Sequence, residues 1–224
     1  ERATSTEIII KNEADIATCE MCCFIESVNS VDNNTISTRL LSQTESIHHL
    51  LKSGKIDSTM CAKLYKKSIV SKSCFYEGIT NNEDLFFNFV VINNSKGVVM
   101  SDFVGYYYRQ REGSASHGGV DEYTVVKMSV EVRERMFMCA KHKSLIAQYY
   151  ILYLFSKINK YAECQSEGDK FVLGMCIDSL RKHPQIISYL NLKRRLMCHT
   201  LLILPQIYFV TLRGYKKIFS FLKS

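Results

Sequence analysis

Glu83 and Asp84 stand between Asn82 and the apolar run Leu85-Phe86-Phe87. Acids at such a junction suit the first turn of a helix, where the dipole favours negative charge. A carboxylate held there can also take a proton from a hydroxyl within hydrogen-bond reach. Further along, Tyr106-Tyr107-Tyr108-Arg109-Gln110-Arg111 runs into Glu112-Gly113-Ser114-Ala115-Ser116. In an extended strand Arg109 and Arg111 fall on one face, and guanidinium forks match phosphate oxygens. The other reading is a solvated basic strand end under three tyrosines. Ser114 and Ser116 then offer hydroxyls and free backbone donors in a flexible turn.

These groups need elements to hold them. Residues 3–13 read as a short helix, Ala14 to Ile25 as a buried strand and Val31-Asp32-Asn33-Asn34 as a turn. Ser42-Gln43-Thr44-Glu45 has capping-box spacing and opens a helix to about Leu51 that Gly54 stops. Residues 58–70 are expected to form a helix and Asn82 to Val91 another. Val98-Val99-Met100 and Val104 to Tyr108 read as two short strands. Beyond Gly118-Gly119 apolar periodicity predicts helices at about 121–142, 144–161, 167–182, 185–199 and 205–222. The fold class is therefore α/β followed by all-α, divided at 1–119 and 120–224.

The chain has 224 residues, 46% of them hydrophobic and 23% charged, which is the composition of a globular protein. No uninterrupted apolar run approaches the about 18–20 residues of a membrane span, and the polar start does not read as a signal peptide. The 9 cysteines include one CxxC, Cys19 to Cys22, without a second pair at zinc-binding distance. They are read as structural thiols, which suits a reducing, cytoplasmic compartment. His48-His49 are adjacent and do not share a helix face as a metal pair would; with His142, His183 and His199 they are read as structural.

The net charge of +7 is uneven: residues 1–120 carry 12 basic and 14 acidic side chains, residues 121–224 carry 17 and 8. From Asn191 to Ser224 there are seven basic residues and no acidic one. Lys and Arg are not interleaved with aromatics as in an RNA-binding motif, so no nucleic-acid partner is expected. The segment 192–224 combines cations with aromatic and aliphatic residues. It reads either as an amphipathic contact with an anionic membrane surface or as a helix closing the helical region.

Asn82-Glu83-Asp84-Leu85-Phe86-Phe87, the Tyr106–Ser114 stretch and Ala62-Lys63-Leu64-Tyr65-Lys66-Lys67-Ser68 occur in an order that resembles the second half of a family 2 glycosyltransferase domain. The resemblance covers roughly residues 7–118. It implies a partial GT-A-like (Rossmann-like) domain lacking its nucleotide-binding first half, followed by a C-terminal helical bundle. It also implies that Asp84 is the catalytic base, with Glu83 beside it to position the acceptor or shape the site, and that Arg109, Arg111, Ser114 and Ser116 meet the donor diphosphate. Lys63 and Tyr65 either line the acceptor side or pack the helix onto the sheet. His117 stands where some members place a metal ligand, otherwise an ordinary surface imidazole. Cys61 and Ala62 replace an aromatic residue and an asparagine of the family pattern, so acceptor preference does not carry over.

The resemblance implies an inverting transfer of a hexose from a nucleotide-sugar donor to a saccharide or lipid-linked acceptor, bacterial in character, in surface polysaccharide biosynthesis. A divalent metal, Mn or Mg, is expected, held mostly by residues outside this chain. A helix and a buried strand are an odd opening for a sheet, so the chain is expected to be a fragment, inactive alone. The expected location is cytoplasmic, peripheral on the inner face of the cell membrane, with self-association left open. The rival reading is a non-catalytic helical interaction or membrane-surface-binding module.

Overall fold

The computed structural model describes residues 13–25, 36–70, 78–110, 121–161 and 166–221, with side chains of the last helix described through residue 214. The helix expected at 3–13 and the turn at 31–34 lie outside them, apart from residue 13. The chain forms two compact units, Glu1–Val120 and Asp121–Ser224.

The first unit is built on a four-stranded mixed sheet. Its strands are β1 (Ile16–Phe24), β2 (Thr38–Ser42), β3 (Lys63–Tyr65) and β4 (Gly97–Arg109), in the order β2-β4-β1-β3. β1 and β4 are parallel, with Ile16 opposite Val98 and Phe24 opposite Arg109, and the register shifts around Glu20. β3 runs antiparallel to β1 and β2 antiparallel to β4. The apolar run at the start of β1 earns its burial only as far as Thr18; Cys19 and Cys22 are half-buried and Cys23 is exposed.

Helix α1 (Gln43–His48) starts on the expected capping box: Ser42 Oγ accepts from the Glu45 amide at 3.3 Å and Glu45 Oε2 accepts from the Ser42 amide at 3.0 Å. One π-helical turn, His49–Ser53, follows and ends at Gly54, whose φ of 64° is the left-handed conformation expected of a helix stop. Helix α2 (Glu83–Asn94) buries every residue from Leu85 to Asn93, and Phe89, Val91 and Ile92 are among the most enclosed.

Two expectations fail here. Residues 58–70 are not a helix: Ala62 takes a positive φ of 57°, Lys63–Tyr65 pair with β1, and only Lys67–Ile69 make a 3-10 turn. Sheet pairing outweighs the local helical pattern. The two short strands at 98–100 and 104–108 are one continuous strand, because parallel pairing to β1 runs across the register shift.

The second unit is helical: α3 (Glu122–Cys139), α4 (Lys143–Tyr161), α5 (Glu167–Lys182), α6 (Gln185–Ser188), α7 (Leu192–Ile203) and α8 (Pro205–Phe221). Asp121, Ser166 and Asn191 cap α3, α5 and α7 by accepting from the backbone amides of Thr124, Asp169 and Arg194. The single helix expected over 185–199 is two, because Asn191 begins a new one. The core holds Val130, Met136, Ile146, Tyr150, Leu154 and Val172. Burial pushes the Cys176 thiol up to about 12, which keeps it protonated and unreactive at neutral pH. No helix among the described residues is long and apolar enough to cross a membrane.

Candidate functional site

The acidic pair sits at the start of α2, where Asn82 holds a positive φ of 64° and its carbonyl accepts from the Phe86 amide at 3.1 Å. The helix turns Glu83 outward, exposed, and Asp84 half inward. Asp84 Oδ2 accepts a hydrogen bond from the Met60 amide at 3.2 Å. The base candidate is thus tied to the loop Ser58–Ala62.

One turn later Asn88 is completely buried. Its Nδ2 donates to the carbonyls of Ser58 at 2.8 Å, Thr59 at 3.0 Å and Asp84 at 3.0 Å. Its Oδ1 accepts from the Tyr65 hydroxyl at 2.7 Å. Tyr65 also stands edge-on to Phe87, with ring centroids 5.3 Å apart. Burial pushes the Tyr65 phenol well above its ordinary pKa, so it is a permanent donor at neutral pH. Lys63 Nζ donates to the carbonyls of Thr59 at 2.6 Å and Cys61 at 3.3 Å. Burial lowers the Lys63 pKa, against the opposing pull of Asp57, Cys61 and Asp84.

The same loop is fastened from the sheet side. The Ala62 carbonyl accepts from the Cys19 amide at 3.0 Å. The Tyr106 hydroxyl is hydrogen-bonded to the Cys61 side chain, which raises the phenol's pKa. The loop thus has polar contacts both to α2, through Asp84 and Asn88, and to the sheet, through Cys19 and Lys63.

The loop also walls a cavity of about 400 Å³ in the first unit. Thr59, Ala62 and Lys63 line it beside Thr18 to Met21 of β1 and Met100 to Asp102 of β4. Its charged groups are Glu20, Arg39, Lys55, Asp57, Lys63 and Asp102. Ser37 donates to Asp102 through its amide at 2.7 Å and its hydroxyl at 2.6 Å, and these bonds hold the carboxyl below its usual range. The Thr59 hydroxyl oxygen, on this wall, is buried without a hydrogen-bond partner. Mixed charges and hydroxyls suit a polar, hydroxyl-rich ligand better than an apolar one.

Among the residues singled out in the sequence, Asp84 and Lys63 hydrogen-bond to the loop Ser58–Ala62, and Tyr65 is linked to it through Asn88. Glu83 lies beside them but faces solvent. Arg109 is exposed at the end of β4, opposite Phe24 of β1. Arg111, Ser114, Ser116 and His117 lie outside the described residues. Among the described residues no three His, Cys, Asp or Glu side chains gather as a metal site. Sequence reasoning missed Asn88, the loop and the cavity's Arg39 and Asp102. Only Asn88 carried a signal, as the one polar residue in the run Leu85–Ile92, four positions after Asp84.

No protein-family model matches this sequence, and no curated protein compared with it matches. Among solved structures the chain is similar to S. aureus TarS 1-349, crystallised in complex with UDP-GlcNAc, with a TM-score of 0.61 and 16% sequence identity. The likeness covers 95% of this chain and 62% of that one, so this chain spans less than two thirds of that length. Such a likeness is one of fold: the chain has a glycosyltransferase-like fold.

Proposed function

We propose that this chain belongs to a nucleotide-sugar-dependent glycosyltransferase of the inverting, family 2 kind, and that Asp84 is its general base. The observation that carries the reading is that Asp84, Lys63 and Asn88, the last holding Tyr65, hydrogen-bond to one loop that walls a polar cavity, within a glycosyltransferase-like fold. In the reaction an acceptor hydroxyl attacks the anomeric carbon of the donor sugar. Its proton passes to the Asp84 carboxylate, the new glycosidic bond forms, and the nucleoside diphosphate leaves with the electron pair of the broken bond. The Met60 amide orients the carboxylate, and Glu83 beside it shapes the approach of the acceptor.

The acceptor is a saccharide or a lipid-linked saccharide, received in the cavity by hydroxyl-to-charge hydrogen bonds. Arg109, with Arg111, Ser114 and Ser116, meets the diphosphate. A divalent Mn or Mg ion belongs to the same proposal, with His117 as its ligand in this chain. The described residues do not assemble a donor set for it. Biosynthesis of a bacterial surface polysaccharide at the inner face of the membrane is the setting this chemistry suits. UDP-GlcNAc, the ligand of the TarS crystal, is the first donor to test.

The test is Asp84→Asn in the intact protein. The amide oxygen still accepts from Met60, so the loop stays in place while proton abstraction is lost. kcat is expected to fall by a factor of about 10²–10⁴ with donor affinity unchanged. Turnover near that of the unmodified protein would remove Asp84 from the base role.

A further inference from the structure

Helix α7 turns the wrong side to water for a surface helix of a self-contained bundle. Leu192, Leu196 and Ile203 share one face by their spacing of four and seven residues. That face is outward: Leu192 is 73% and Ile203 70% exposed, while Cys198 and Leu201 on the opposite side are fully buried. The stripe continues into α8. Tyr208 turns inward, its ring against Phe155 and its hydroxyl donating to Asn159 at 3.0 Å. Ile207 and Val210 consequently face out, as does Leu204 at the junction between the helices. Lys193 and Arg213 are exposed on the same two helices.

We infer that the outer face of α7 and α8 is a docking surface for an anionic lipid bilayer, lying in the interface plane. Charge selects this occupant. Seven cations and no acid lie between Asn191 and Ser224, and they have no answering carboxylate within the segment. A second copy of the chain would bring another cation-rich segment without acids to the same contact, and like charges across an isologous interface repel. An anionic leaflet supplies diffuse negative charge to the cations and an apolar boundary to the leucines and isoleucines together. Binding on the surface, not across it, agrees with helices too polar to span. The inference is independent of the proposed transfer reaction, because vesicle binding needs neither donor nor acceptor.

The test is co-sedimentation of the intact protein with large unilamellar vesicles. Phosphatidylcholine containing about 30 mol% phosphatidylglycerol is expected to bind it at least about 10-fold more strongly than phosphatidylcholine alone, and less in high salt. L196Q with I203Q, at exposed positions and checked for unchanged helicity by circular dichroism, is expected to lower partitioning onto the anionic vesicles by about 10-fold. K193E with R213E, which leaves the apolar stripe whole, is expected to erase the preference for anionic lipid. Equal binding to neutral vesicles overturns the inference, as does undiminished binding by L196Q/I203Q. A dimer that L196Q/I203Q dissociates, with no vesicle binding by the unmodified protein, overturns it in favour of a second copy.

Discussion

Asp15 sits where three strands meet, just before β1, with Lys66 just after β3 and Lys96 just before β4. Its Oδ1 accepts from Lys66 Nζ at 3.0 Å and its Oδ2 from the Lys96 amide at 2.7 Å. Its backbone carbonyl accepts from the Lys66 amide at 2.9 Å. Burial by itself pushes the carboxyl up, but the Lys96 amide and the Lys66 ammonium together outweigh it and hold the pKa below 3.8. A carboxyl depressed on folding adds stability above its unfolded pKa and loses it as pH falls through the folded value. Asp15→Asn keeps one acceptor oxygen and leaves either the Lys96 amide or the Lys66 ammonium without its partner, so it is expected to cost roughly 1–3 kcal/mol near pH 7, read from urea melts. The gap between variant and parent should narrow below about pH 4. An equal gap at pH 7 and pH 3 would show that packing, not charge, sets the effect.

At the scale of elements, what the sequence reveals depends on how local the determinants are. The Ser42 to Glu45 capping box and the start of α2 are encoded within a few residues, and both form where expected. Lys63–Tyr65 is different: its strand state depends on β1, more than forty positions away, and no local pattern announces such a partner. The same holds for the Ser58–Ala62 loop, whose path is set by Asn88, Cys19 and Tyr106. Asp84 stands out in the sequence as an acid at a helix start, whereas the loop from which it accepts a hydrogen bond does not. The division of β4 into two strands failed because Ser101-Asp102-Phe103 reads as a break, although pairing with β1 resumes at Val104.

Gly97 supplies an element-scale test. A Cβ there would lie 2.5 Å from the Leu41 carbonyl oxygen on β2, which is backbone and cannot swing aside. Gly97→Ala is expected to destabilise by about 1–3 kcal/mol in thermal or urea melts. Gly174→Ala, in the interior of α5 with nothing within 4 Å of the added carbon, is expected to stabilise by about 0.5–1 kcal/mol. A similar change at both sites would mean that β2 can shift away from β4 at little cost.

At the scale of the whole molecule the two units have different sources of order. The helical unit closes on its own core: Tyr150, Leu154, Val172, Cys176 and Leu180 are fully buried, and its caps lie within residues 121–224. Those residues expressed alone are expected to be helical and to melt in one cooperative transition, followed by circular dichroism at 222 nm. A non-cooperative melt would show that the unit draws its order from residues 1–120.

The pairing of β1 with β4 also has a kinetic consequence. Ile16 and Val98 are neighbours in the sheet but lie roughly 80 residues apart in the chain, and loop-closure entropy must be spent before such a contact can stabilise anything. A ribosome releasing β1 would leave an apolar, cysteine-bearing strand without its central partner until β4 has emerged. The helices of the second unit, with mostly sequential contacts, carry no such delay. The first unit is thus the slow-folding and aggregation-exposed part of the chain, and the one that a cell's chaperones would have most reason to hold.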